Sequence, residues 1–209
     1  MRLNTESVRR YTAGLLVGLA VAAPAAAKTR ANAAGGAAVA ASNIRIDNFG
    51  QVDSRYFRGA QPDGSDYASL AALGVKAIIN LTSDDAKTDE GTMVKRAGMK
   101  YFQIPMTTHV APTTAQVAEF LSIVTNPLNQ PVYVHCVGGR HRTGVMTAVY
   151  RMTQNHWSAA QAFSEMKRYK FGADFLHSEF KDFVFGYPVA LARNAAAHAA
   201  EVAKPKSGG

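Results

Sequence analysis

The 209-residue chain has one cysteine, one tryptophan and only 15 acidic residues against 23 basic ones. A lone thiol, Cys136, excludes an internal disulfide, and in an oxidising compartment it is a liability unless buried or used. The six histidines lack metal-ligand spacing such as H-E-x-x-H, so neither a metal site nor a cofactor is predicted. No stripe of basic and aromatic residues is present, which sets nucleic acid aside as a partner. Internal repeats are also missing. No apolar run is long enough to span a bilayer comfortably.

What is present begins with an unusual N-terminus. MRLNTESVRR carries three arginines and one acid, and TAGLLVGLAVAAPAAA follows it. A basic start, an apolar stretch and an Ala-x-Ala end predict a signal peptide over 1–27, cut before Lys28 or, alternatively, at Ala34. The competing reading is an N-terminal membrane anchor. Cleavage leaves no stable membrane span and predicts a periplasmic or secreted bacterial protein. It removes three arginines and one glutamate, so the net charge falls from +8 to +6. Residues 28–42 read as a flexible linker, 43–188 as the folded domain, and 189–209 as an Ala-rich helix and tail. Nothing in the sequence specifies an oligomeric state.

From residue 43 strands and helices alternate. Short strands are predicted near 44–47 and 55–59, joined by a turn at Gly50. Helices are predicted from the capping residues of DGSDYASLAALG, from EGTMVKRAG, from PTTAQVAEFLSIVTN behind Thr113, from GVMTAVYRMTQN, from Ser158 onwards, and from LHSEFKDFVF. VKAIINL and QPVYVHC are continuous apolar runs of strand length, and MKYFQIP is a third strand. This alternation predicts an α/β fold with a mostly parallel central sheet flanked by helices. Ligands of such sheets bind beyond the carboxyl ends of the strands. Cys136 stands there.

The segment Cys136-Val137-Gly138-Gly139-Arg140-His141-Arg142 runs from a strand end into a helix start. Backbone N–H groups in that setting favour an anion. The glycines permit a tight cradle. Arg142 can grip two oxygens of a tetrahedral oxyanion. The positive surroundings favour the Cys136 thiolate, which faces bound phosphate as a nucleophile. Thr143 can offer its hydroxyl to the sulfur, or cap the helix. Val137, Gly138, Gly139, Arg140, His141 and Arg142 are thus the predicted phosphate-binding residues.

HCVGGRHRTG resembles the His-Cys-x-x-Gly-x-x-Arg-Thr-Gly signature of the protein tyrosine and dual-specificity phosphatases. GRHRTG, NFGQVDSRYFRGAQP and LAALGVKAIINL resemble the plant and fungal atypical dual-specificity group and its bacterial relatives. The resemblance covers roughly residues 48–170. It implies the cysteine-dependent phosphatase fold, a phosphocysteine intermediate and a phosphorylated protein or small-molecule substrate. It also implies a positioning role for His135. In such phosphatases an aspartate on the loop after the third strand protonates the leaving group. Here that loop, IPMTTHVAPTT, has no carboxylate. The resemblance therefore leaves His109, Asp84 and Asp85 as alternatives for the acid. Two other functions stay open, a phosphate-binding module without turnover and a rhodanese-like sulfurtransferase.

Overall fold

A computed structural model describes residues 44–83 and 85–187. The predicted signal peptide, the linker, Asp84 and the Ala-rich tail lie outside the described residues. The strands are β1 (Gly50–Asp53), β2 (Tyr56–Gly59), β3 (Ala77–Asn80), β4 (Lys100–Gln103) and β5 (Val132–His135). They form one sheet in the order β1-β2-β5-β3-β4. Only the β1–β2 pair is antiparallel. Among the described residues the helices are α1 (Asp66–Ala72), α2 (Glu90–Arg96), α3 (Thr114–Val124), α4 (Arg142–Gln154), α5 (Ala159–Arg168) and α6 (178–187). None is long and apolar enough to cross a membrane.

Side chains alternate across each parallel strand, and both faces are apolar. Ala77, Ile79, Val132 and Val134 enter one core with Phe120, Val145, Val149, Phe163 and Phe180. Ile78 and Tyr133 enter the opposite core with Tyr67, Leu70 and Val94. Helices α3 to α6 therefore cover one face, and α1 and α2 the other. This two-sided burial explains why the strands read as unbroken apolar runs.

Local chemistry sets the helix ends. Thr113 and Ser158 each form a reciprocal capping box, with Gln116 and Gln161 respectively. Gly74 and Gly98 take positive φ just beyond α1 and α2. Ten of the thirteen residues of α4 are buried, as its apolar surface predicts. Its first residue is Arg142 and its N-cap is His141. Thr143 therefore sits inside the helix and does not cap it.

One predicted strand is misplaced. Residues 44–47 form no strand, and Gly50 opens β1 rather than making the turn. Gly50 pairs with Arg58 across the hairpin. The turn lies at Asp53–Arg55, where the Asp53 carboxylate accepts the Arg55 N–H at 2.8 Å. An aspartate bonding the backbone two residues on outcompetes the glycine as turn former.

Candidate active site

Strand β5 ends at His135, and Cys136 follows, 3% exposed. The next residues arch over the sheet end before α4 begins. The carbonyls of this arch point away from its hollow. Val137 O accepts the Gln61 N–H at 3.0 Å. Gly139 O accepts Arg58 Nη2 at 2.6 Å and Asn48 Nδ2 at 2.9 Å. By contrast, the backbone N–H groups of Val137 to Arg142 have no acceptor among the described residues. With its carbonyls pinned outward, the loop presents a run of unpaired donors, the arrangement that collects an oxyanion.

Gly139 makes this shape possible. Its φ is +64°, and a Cβ there would stand 2.4 Å from the Gly59 carbonyl carbon. Gly138 has no comparable constraint, since a Cβ would meet only the Arg140 side chain at ordinary contact distance.

Arg142 is 4% exposed and lies across the site. Its Nη1 donates to Asp85 Oδ1 at 2.9 Å and to Met106 O at 3.0 Å, and its Nη2 donates to Asp85 Oδ2 at 2.6 Å. Burial opposes its charge, but Asp85 and the neighbouring Cys136 outweigh burial and raise its pKa. The same hydrogen bonds hold the Asp85 carboxyl below the usual carboxylate range. Thr143 Oγ1 is buried without a partner, so the predicted bond to the cysteine sulfur is not made here.

Behind the loop lies a buried carboxylate that the sequence analysis missed. Glu90 is fully buried at the start of α2. It accepts from Gln61 Nε2 and Asn80 Nδ2 at 2.6 Å each, and from Tyr67 Oη at 3.2 Å and Tyr101 Oη at 3.3 Å. Its Oε1 also stands 3.0 Å from His135 Nε2, close enough for an ion pair but without the alignment of a hydrogen bond. Burial pushes its pKa up, but contact with His135 and the other donors outweighs this and leaves it lowered. His135 is thus held from behind, immediately before the thiol.

Arg58 was also missed. It is wholly buried, with its guanidinium 3.9 Å from the Tyr169 ring centroid. Burial lowers its pKa, and its Nε and Nη1 have no partner among the described residues. A charged residue inside the apolar strand YFRG was the available signal, since such charges are seldom buried without a task. Asn48 takes φ +57° and ties the Gly139 carbonyl to Tyr169 O.

The remaining predicted residues are more scattered. Arg140 is half-exposed and 4.0 Å from Asp47. His141 bonds the Phe171 carbonyl through Nε2 at 3.0 Å. Burial and the neighbouring His177 lower its pKa. His109 is exposed and lies beside His177 and Glu179.

This geometry can be compared with known proteins. A family model described as the tyrosine phosphatase family matches residues 43–194. The chain belongs to that family. It is 31% identical over 133 residues to the inositol diphosphatase SIW14 of Saccharomyces cerevisiae, covering 61% of this chain and 47% of that protein. It is 30% identical over 129 residues to the dual specificity protein phosphatase TpbA of Pseudomonas aeruginosa, covering 60% of this chain and 56% of TpbA. The chain thus spans about half the length of these two relatives. Among solved structures, the SIW14 core catalytic domain with citrate superposes with a TM-score of 0.59 at 28% identity, covering 68% of this chain and 85% of that one. A P. aeruginosa TpbA variant in complex with pTyr gives 0.60 at 25% identity, covering 72% and 90%.

Proposed function

We propose that this protein is a cysteine-dependent phosphatase that works through a phosphocysteine intermediate. One observation carries the reading. Arg142 holds the two oxygens of the Asp85 carboxylate in its fork, beside Cys136 and a run of unpaired loop N–H groups. A phosphoryl group offers the same two-oxygen edge, with a third oxygen for the amides.

In the first step the Cys136 thiolate attacks phosphorus, and the bond from phosphorus to the ester oxygen breaks. Loop amides and Arg142 stabilise the equatorial oxygens as charge develops. The leaving oxygen takes a proton from the acid, for which Asp85 is our choice. Phosphate entering the Arg142 fork displaces Asp85, which removes the contact that lowers its pKa and leaves a carboxyl beside the leaving group. In the second step Asp85 accepts a proton from water, water attacks phosphorus and the S–P bond breaks. The buried Thr143 hydroxyl, without a partner, is free to donate to the departing sulfur. His109 is the less favoured acid, because it is exposed and, unlike Asp85, makes no contact with Arg142.

The substrate class follows from charge and from the relatives. One relative is called an inositol diphosphatase, and a structure of another holds pTyr. A cleft lined by Ser83, Lys87, Thr92 and Lys95 adjoins the loop that carries Asp85. It suits the further phosphates of a multiply phosphorylated small molecule, while the signature loop alone serves a phosphotyrosine-type ester. We place the reaction in the periplasm or outside the cell, on the basic and apolar N-terminal pattern.

Hydrolysis of p-nitrophenyl phosphate with EDTA present tests the reading. Wild-type turnover that vanadate blocks, and its loss in Cys136→Ser with phosphate binding kept, are expected. Turnover by Cys136→Ser within tenfold of wild type would refute the nucleophile. Thiocyanate formation from thiosulfate and cyanide in place of ester hydrolysis would point to sulfur transfer.

A further inference from the structure

We propose that His109, His177 and Glu179 form a binding site for a divalent transition metal of the zinc class, joining the loop after β4 to the start of α6. Three ligand atoms, one from each residue, lie within 4.8 Å of one another. His177 Nδ1 stands 3.3 Å and His109 Nδ1 3.8 Å from the same oxygen, Glu179 Oε1. Ligands about 2.0–2.2 Å from a tetrahedral zinc are separated by about 3.4 Å, so small side-chain shifts bring all three into the first coordination sphere.

Hydrogen bonding does not explain the cluster. The contact from His177 to Glu179 is a hydrogen bond, but the 3.8 Å from His109 is too long for one. His109 is 72% exposed, yet its ring lies parallel to that of His177 with centroids 5.0 Å apart. Two imidazoles and one carboxylate that converge without bonding each other fully are a set completed by a cation. Two histidines and one carboxylate with an open fourth position is a familiar zinc donor set. The chain spacing hid this set, because 109 is far from 177 and 179 in sequence.

A neighbouring ring restrains His177. The His177 ring packs against His141 at 3.6 Å between centroids, and His141 is anchored to the Phe171 carbonyl. This packing limits how far the His177 ring can turn away from Glu179. His141 also belongs to the signature loop, so an ion at this site would tie the loop after β4 to the phosphate cradle. The proposal concerns binding alone and does not depend on the phosphatase reading.

The test is calorimetric titration of zinc into the full-length Cys136→Ser protein, which removes the thiol as a rival ligand, with cobalt absorption as a second readout. One equivalent should bind, and cobalt should give the intense visible bands of a tetrahedral site. Glu179→Gln and His109→Asn should each weaken binding by at least about tenfold. These substitutions are conservative and sit at partly or largely exposed positions, and unchanged thermal melts of the metal-free variants would show that the fold is kept. No zinc uptake, or uptake that neither substitution weakens, would overturn the site.

Discussion

The Arg142 guanidinium and the Asp85 carboxylate face each other through two parallel hydrogen bonds, 2.9 and 2.6 Å long. On our reading Asp85 occupies the fork that phosphate needs, so substrate and carboxylate compete for it. Asp85→Asn should tighten inhibition by inorganic phosphate several-fold, because a neutral amide holds a guanidinium less firmly. It should also lower kcat by about 10²–10⁴-fold if Asp85 is the acid, and remove the basic limb of the pH–rate profile. The sign of the pH dependence follows from the lowered pKa of Asp85. The pair persists above the ordinary carboxylate range and is lost as pH falls through the lowered value. Phosphate affinity in the wild type should therefore be limited by Asp85 at neutral pH. Unchanged phosphate inhibition in Asp85→Asn would show that the two do not compete.

Glu90 collects donors from four residues and faces His135 from behind the site. Glu90→Ala should destabilise the fold by about 3–5 kcal/mol, the scale of removing one partner from a buried ionic network. Its lowered pKa means that the stabilisation is complete above the usual value of 4.5 and is lost as pH falls through the lower folded value. Denaturant melts from pH 7 to pH 3 should show the wild type losing stability over the acid part of this range, and the variant losing less.

Gly139→Ala should act mainly on the chemistry. The αL conformation alone costs a non-glycine residue about 1–3 kcal/mol. The added methyl must also push the loop away from Gly59. A loop shift near 1 Å costs about 10²-fold in rate, so kcat/KM should fall at least that far. Gly138→Ala, which meets only a flexible side chain, should fall far less. Equal losses in the two variants would undo the argument from geometry.

Arg58→Met separates stability from function. Arg58 is a buried charge with two unpaired nitrogens, so methionine should leave the melting temperature little changed or raised. Turnover should fall, because Gly139 O then keeps only Asn48 as donor. Parallel losses in stability and rate would make Arg58 a packing residue only.

What the sequence disclosed was local. Residues 136 to 143 are contiguous, so the strand end, the glycines and the arginine could be read together. The two-sided sheet was legible because VKAIINL and VYVH are apolar on both faces. The misplaced first strand reflects a contest between Gly50 and Asp53 as turn formers, which the hairpin pairing decides. Asn48, Arg58 and Glu90 escaped notice because their partners lie far along the chain. Arg58 and Gly139 are 81 residues apart. The sequence left Asp84, Asp85 and His109 all open as acids, since only the folded loop after β3 brings Asp85 onto Arg142.

The central claim is a phosphoryl group carried on Cys136. Acid quenching of the full-length enzyme during turnover of p-nitrophenyl phosphate, followed by intact mass and peptide mapping, tests it directly. The account predicts a phosphorylated species on the peptide that contains Cys136, accumulating with a burst of nitrophenol and absent from Cys136→Ser. Asp85→Asn should still reach it with this good leaving group. Steady turnover by an enzyme that carries no phosphoryl group on Cys136 at any quench time, or carries it on another residue, would contradict the account.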